Sequence, residues 1–149
     1  MPTLLDNPAF KLYAICCAIL SLQMLVLAGI TPARRAKNKK YLNPEDVKVS
    51  FAGATVVEGA EHPDVARVKR AHRNLNESLP LFFALGLVYV LAGASPLGAK
   101  ICFGAFTGAR VLHSIFYLNA AQPWRTITYT VGAFALTGMI VLIGIAVLA

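Results

Sequence analysis

An all-α integral membrane protein, a bundle of four transmembrane helices, is the fold class that this sequence predicts. Three observations carry the prediction. Of the 149 residues, 57% are hydrophobic and only 14% are charged, against roughly 25% charged in a soluble domain. Four apolar stretches approach the ~20 residues that cross a bilayer as helix. Two of the three connections between them are short. The length suits a single domain spanning 1–149.

The first stretch, 12–30, reads LYAICCAILSLQMLVLAGI. Its apolar run is too long for a signal peptide, and no basic segment precedes it. The second, 79–93, reads LPLFFALGLVYVLAG. It is short by itself and reaches spanning length when the polar turns from Arg67 onward continue the same helix. The third and fourth follow at 101–121 and 126–148. With their polar ends included, helices are expected at about 8–30, 67–93, 99–121 and 124–148, with a loop at about 31–66. AGASPLG and AAQP are short turns, and Pro123 suits the first turn of the helix after it. The first connection is long and polar, holding RRAKNKKYLNPED and EGAEHPD.

Charge supplies the orientation. The formal net charge is +7. Arg34, Arg35, Lys37, Lys39, Lys40 and Lys48 crowd the first loop, Arg67, Lys69, Arg70 and Arg73 follow, and Arg125 lies on the same side by helix count. The other side has little beyond Lys11 and Lys100. The positive-inside rule therefore puts both termini outside and loops one and three in the cytoplasm. RRAKNKK reads first as an orientation signal held near anionic headgroups. No aromatic interleaving or known module accompanies the charge, so nucleic-acid binding is not expected. Cys16, Cys17 and Cys102 sit inside apolar runs without metal-ligand spacing. They are expected as small buried hydrophobes, with no metal site.

Polar stripes interrupt this greasy pattern at helical spacing. Arg70, Arg73, Asn74 and Glu77 fall at i, i+3, i+4 and i+7, on one face of the second helix. Arg110, His113 and Tyr117 repeat that spacing on the third. The fourth opens with Arg125, Thr126 and Tyr129. Snorkelling accounts for Arg70; it does not account for an Asn and a Glu one turn deeper. Ionisable residues in a membrane interior cost about 2.5–3.5 kcal/mol each on insertion scales and are functional candidates by default. Glu77 and Arg110 pairing across the bundle is the structural alternative. A ligand suited to three such stripes carries carboxylates for the arginines and an ammonium for the glutamate. Glutathione, with two carboxylates, one ammonium and one thiol, fits.

NPEDV (43–47), HPDVARVKRAHRN (62–74), GARVLHSIFYL (108–118) and WRTITYT (124–130) together resemble the MAPEG family, the membrane-associated proteins in eicosanoid and glutathione metabolism. The likeness is greatest to its branch of glutathione transferases and prostaglandin E synthases. It runs from about Tyr41 to Thr130, in the same order. The resemblance implies a homotrimer that binds glutathione between subunits near the cytoplasmic face. It implies glutathione contacts from Arg35, from Arg70, Arg73, Asn74 and Glu77, from His113 and Tyr117, and from Tyr129. It implies a chemical role for Arg125 and Thr126, and makes Asp46 a candidate partner for Arg125 or His72. Two positions depart from the prostaglandin synthase pattern: Leu75 stands where that pattern has an acid, and Thr126 where it has Ser. Threonine keeps the hydroxyl.

The expected activity is that of a glutathione S-transferase. It conjugates glutathione to a hydrophobic electrophile delivered through the bilayer, and it reduces lipid hydroperoxides. Two alternatives stand beside it. One is an isomerase acting on a prostaglandin-type endoperoxide. The other is a non-catalytic lipid-binding or scaffolding membrane protein, which has no need of Arg73, Glu77, His113 and Arg125 together.

Overall fold

The computed structural model describes residues 3–50, 52–57 and 59–149. Its four long helices are α1 (Pro8–Asn38), α3 (Pro63–Leu91), α4 (Pro96–Leu118) and α5 (Trp124–Leu148). A five-residue helix, α2 (Pro44–Lys48), lies in the first loop. Each long helix is long and apolar enough to cross a membrane, and the chain is a multi-pass integral membrane protein.

Local chemistry sets the helix starts. Asn7 Oδ1 accepts from the Ala9 amide at 2.9 Å, with Pro8 in the first turn of α1. His62 Nδ1 accepts from Asp64 N ahead of α3, and Ser95 Oγ accepts from Gly98 N ahead of α4. Each is a side-chain acceptor meeting an amide that has no partner within the helix, followed by a proline whose missing N–H costs nothing there. This is why α3 begins at Pro63, four residues ahead of the expected 67.

At its other end α1 continues past 30 to Asn38. Pro32 is tolerated inside it, and Thr31 Oγ1 donates back to the Leu27 carbonyl at 3.4 Å. Arg35 and Lys37 in the last turn suit the negative end of the helix dipole. The helix stops where Lys39 turns left-handed, at φ 53°. The first loop is then drawn together by two short parallel strands, β1 (Lys40–Tyr41) and β2 (Thr55–Val56), in register Lys40 with Thr55 and Tyr41 with Val56.

Aromatic packing locks α1, α3 and α4 together. Phe82 and Phe106 stack with centroids 4.6 Å apart and planes 2° from parallel. Phe103 meets Phe82 edge-on at 5.8 Å and Tyr89 at 5.3 Å, offset geometries that aromatic quadrupoles favour. Tyr13 donates its hydroxyl to the Phe83 carbonyl at 2.8 Å. Its ring lies so close to α3 that a Cβ on Gly86 would come within 2.6 Å of it. The outer faces carry Leu25, Phe134 and Val147, each about 70% exposed, as helices bathed in acyl chains require. Of the cysteines, Cys16 and Cys102 are buried and Cys17 is half-buried.

Candidate functional site

The polar residues of α3, α4 and α5 converge on Arg110. Its side chain is 3% exposed, and α5 passes close over it because position 132 is glycine. A Cβ there would lie 3.1 Å from both Nε and Nη2 of Arg110. Arg110 Nη1 donates to Asn74 Oδ1 at 3.3 Å. The guanidinium carbon stands 5.2 Å from the Phe106 ring centroid and 5.2 Å from that of Tyr129. Both are cation–π distances, and such contacts strengthen away from water. Arg110 Nε has no partner among the described residues. The Glu77–Arg110 pairing that the sequence allowed is not formed. Glu77 turns outward and meets Arg73 at 3.8 Å, with both side chains more than half exposed. An amide, rather than a carboxylate, is what faces Arg110.

His113 continues the cluster toward α5. Its Nδ1 stands 2.9 Å from the Arg125 carbonyl. A carbonyl only accepts, so Nδ1 carries the proton and Nε2 is left with its lone pair. Nε2 is buried and unpartnered among the described residues. The ring lies between Tyr117 and Tyr129, at 5.6 and 5.9 Å. Arg125 folds its guanidinium over Tyr117 at 4.8 Å. The Gln122 amide bridges the start of α5: its oxygen accepts from Arg125 Nη2 at 2.7 Å, and its nitrogen faces Thr126 Oγ1 at 3.1 Å.

Asn74, Glu77, Arg110 and Tyr129 thus line one groove of about 330 Å³ between α3 and α5, which continues into apolar ground along Leu81, Leu136 and Ile140. His113, Tyr117, Arg125 and Thr126 extend the same polar seam. Within one protomer the seam does not include Arg35, Arg70 or Asp46. Arg35 binds Glu61 through Nε at 2.9 Å and Nη2 at 2.6 Å. Lys69 meets the other Glu61 oxygen at 2.9 Å. Arg70 and Arg73 border a separate cleft of about 430 Å³ beside Glu61. Asp46 accepts from Asn43 Nδ2 at 3.1 Å, and among the described residues no hydrogen bond or ion pair joins it to Arg125 or His72.

Several members of this polar set were not singled out from the sequence. Gln23 on α1 donates to the Arg110 carbonyl at 2.8 Å and to Ser114 Oγ at 2.6 Å. It is an uncharged amide in the middle of a 19-residue apolar run, and that isolation was the available signal. Thr128 donates to the Trp124 carbonyl at 2.8 Å behind His113. Glu61 and Gln122 are loop residues whose partners only the fold brings near.

The fold and this seam define a four-helix membrane protein with a polar, cation-rich groove opening between its helices. The profile of the MAPEG family matches residues 13–145, and the chain belongs to that family. It is 35% identical to human prostaglandin E synthase over 136 residues, covering 91% of this chain and 88% of that protein. It is 34% identical to human microsomal glutathione S-transferase 1 over 130 residues, covering 86% and 84%. The rat microsomal glutathione S-transferase 1 is likewise 34% identical over 131 residues.

The Glu61 cluster gives the first prediction. Burial raises the Glu61 carboxyl pKa, but hydrogen bonds from Lys69 and Arg35 and their two charges outweigh it, and the group titrates below its ordinary range. A carboxylate whose folded pKa is depressed adds stability at neutral pH and loses it as pH falls through the folded value. Protection of the Thr55 and Val57 amides from hydrogen exchange in the detergent-solubilised chain is therefore expected to drop as pH falls below the ordinary carboxylate range. Glu61→Gln should already show the low-protection behaviour at pH 7, by on the order of 1 kcal/mol. Equal protection in parent and variant across pH 3–7 would show that the ion pairs do not hold the loop.

Proposed function

We propose that this chain is a glutathione-dependent membrane transferase that conjugates glutathione to hydrophobic electrophiles and also reduces lipid hydroperoxides. The observation that carries the reading is the Arg110 groove. Arg110, a buried residue, sits beside Asn74, Glu77 and Tyr129, with its Nε and the nearby His113 Nε2 unpartnered among the described residues. A zwitterionic peptide with two carboxylates and an ammonium matches that set of donors and acceptors. Family membership and the names of the relatives support the same reading.

The protein's part in the reaction is electrostatic. Glutathione supplies the nucleophile, its thiolate. The new C–S bond forms as the electrophilic carbon loses its leaving group, or as an activated double bond opens and takes a proton from water. With a hydroperoxide, two glutathiones give up two electrons and become the disulfide as the O–O bond breaks to alcohol and water. Arg125 and Thr126 open α5, where unpaired amides and the helix dipole already favour an anion. The Arg125 guanidinium stays charged at any working pH, and the Thr126 hydroxyl donates a hydrogen bond. Both favour the ionised thiol, so its proton leaves to solvent at lower pH. Arg35, Arg70 and Arg73 take carboxylates, and Glu77 takes the ammonium. Asp46 steadies Arg125 or His72, and Tyr117, Tyr129 and His113 frame the peptide. Because one protomer does not gather Arg35 and Asp46 with Arg125, the complete site forms between subunits of a homotrimer. The apolar continuation along Leu81, Leu136 and Ile140 admits the electrophile from the bilayer. The prostaglandin E synthase relatives favour endoperoxide isomerisation as a second reading at the same site, and assaying both activities side by side separates the two.

The orientation proposed is termini outside, with loops one and three in the cytoplasm. A Ser95→Cys variant in sealed vesicles should then react with an impermeant maleimide only from the extracytoplasmic side. Labelling from the cytoplasmic side would reverse the topology.

Arg125 decides the chemistry. Bound glutathione is expected to titrate below the roughly 8.5 of an ordinary thiol. Arg125→Ala should raise that apparent pKa and lower turnover of an aromatic electrophile by about tenfold or more, equivalent to about 1.4 kcal/mol, with a smaller effect on glutathione affinity. Thr126→Val should act the same way more weakly, and Thr126→Ser should be nearly silent. The readout is thiolate ultraviolet absorbance against pH, beside conjugation rates. Parent-like titration and turnover in Arg125→Ala would leave Arg125 a membrane-orienting charge and nothing more.

A further inference from the structure

Glu61 has no part in the chemistry proposed above, yet its carboxylate stands where a ligand carboxylate belongs. Its place is set by the start of α3. His62 caps that helix and Pro63 opens it, so the residue just ahead is held at the helix mouth, against the last turn of α1. There Arg35 donates to one Glu61 oxygen, from Nε at 2.9 Å and from Nη2 at 2.6 Å. Lys69 Nζ lies 2.9 Å from the other oxygen. The contact is largely shielded from water, with the Arg35 side chain 19% exposed and that of Glu61 12%.

These are the partners that a peptide carboxylate would use. Nε and Nη2 form the edge of a guanidinium that grips carboxylates. The cleft of about 430 Å³ beside Glu61 is otherwise lined by Ala66, Lys69, Arg70 and Arg73. Glu61 is the one acid among those lining residues, against three cations. Arg73 also meets Glu77 at 3.8 Å, and among the described residues no ion pair holds Arg70. The cleft therefore keeps an excess of positive charge with Glu61 in place. The Nε/Nη2 edge of Arg35 cannot carry a second carboxylate at hydrogen-bond distance, because it offers only these two N–H groups and the two anions would repel.

We infer that Glu61 is an internal competitor for the ligand. In the empty site its carboxylate occupies Arg35 and Lys69, and glutathione binds by displacing it with a carboxylate of its own. The inference rests on the functional reading that gives Arg35 a ligand carboxylate. It adds the residue that holds glutathione affinity down.

The sign of one substitution separates a competitor from a staple. Losing a staple loosens the first loop and leaves glutathione binding unchanged or weaker, whereas losing a competitor tightens it. The test is calorimetry of glutathione with the full chain in detergent, helical content being checked by circular dichroism. Glu61→Gln keeps the shape and removes the charge. It should bind about fivefold tighter than the parent, the equivalent of an ion pair worth about 1 kcal/mol, and Glu61→Ala should gain at least as much. In an Arg35→Ala background most of that gain should vanish, since no guanidinium is left to release. Should both variants lose helical content, Glu61→Asp is measured in their place. It keeps the charge but reaches less far, and should bind about twofold tighter. Folded Glu61 variants that bind glutathione as the parent does, or more weakly, would overturn the inference and leave the glutathione site standing. So would a gain that persists in full without Arg35, which would make Glu61 a distant charge and no competitor. Failure of parent and variants alike to bind glutathione would overturn the functional reading and the inference together.

Discussion

A guanidinium buried inside a membrane bundle has to be solvated by protein, and much of this structure follows from that requirement at Arg110. The residue is out of reach of water, in a layer where an uncompensated charge is expensive. The fold meets the requirement with an amide from α3, aromatic faces from α4 and α5, and a glycine on α5 that lets the backbone pass close. Gln23 ties α1 to the same turn of α4 through its carbonyl. All four long helices are thus bound to one polar locus, and the stacked Phe82 and Phe106 close it off from below. Removing any one of these partners leaves a charge whose cost the remainder must carry.

The compensation is incomplete by design of the same residues. Among the described residues, Arg110 Nε and His113 Nε2 are unpartnered and no carboxylate pairs with the arginine. Replacing the half-met charge with leucine would be the simpler solution if packing were the only demand, since buried ion pairs are weak contributors to stability. Under the proposed function, the under-neutralised guanidinium is what an anionic group of the ligand would meet, and the His113 lone pair is open to a donor. The first loop carries a second focus of charge, where Glu61 is shared by Arg35 and Lys69. That focus anchors the loop to the ends of α1 and α3. It also occupies Arg35, one of the residues proposed to take a ligand carboxylate, and under that proposal the ligand would have to displace Glu61.

The four spans, the stripes of α3 and α4 and the polar opening of α5 were legible because they depend on local periodicity and composition. Asn74, Arg110, His113, Tyr117, Arg125 and Tyr129 come together as their helical spacing suggested. What spacing could not give was direction across the bundle. Glu77 and Arg110 are complementary in charge, yet Asn74 is the α3 residue that meets the arginine, while Glu77, three residues on, turns to Arg73. Helix ends were misjudged where a cap outweighs hydropathy, as at His62–Pro63, or where a helix runs on into polar residues, as α1 does to Asn38. Glu61 and Gln122 owe their places to contacts between segments far apart in sequence or folded back at a turn, and a one-dimensional pattern carries no trace of them. Gln23 was readable as the lone amide in its apolar run.

The central claim is that the under-neutralised seam around Arg110 is a glutathione site, and calorimetry on the purified, detergent-solubilised chain tests it most directly. Glutathione titrated into the protein should give saturable heat with a dissociation constant between about 1 μM and 1 mM, or about −8 to −4 kcal/mol. S-methylglutathione, which keeps both carboxylates and the ammonium but cannot form the thiolate, should still bind saturably, with affinity lower by the thiolate's share. No saturable heat from either peptide up to several millimolar, in protein that remains folded and helical, would contradict the account and leave the seam a structural network.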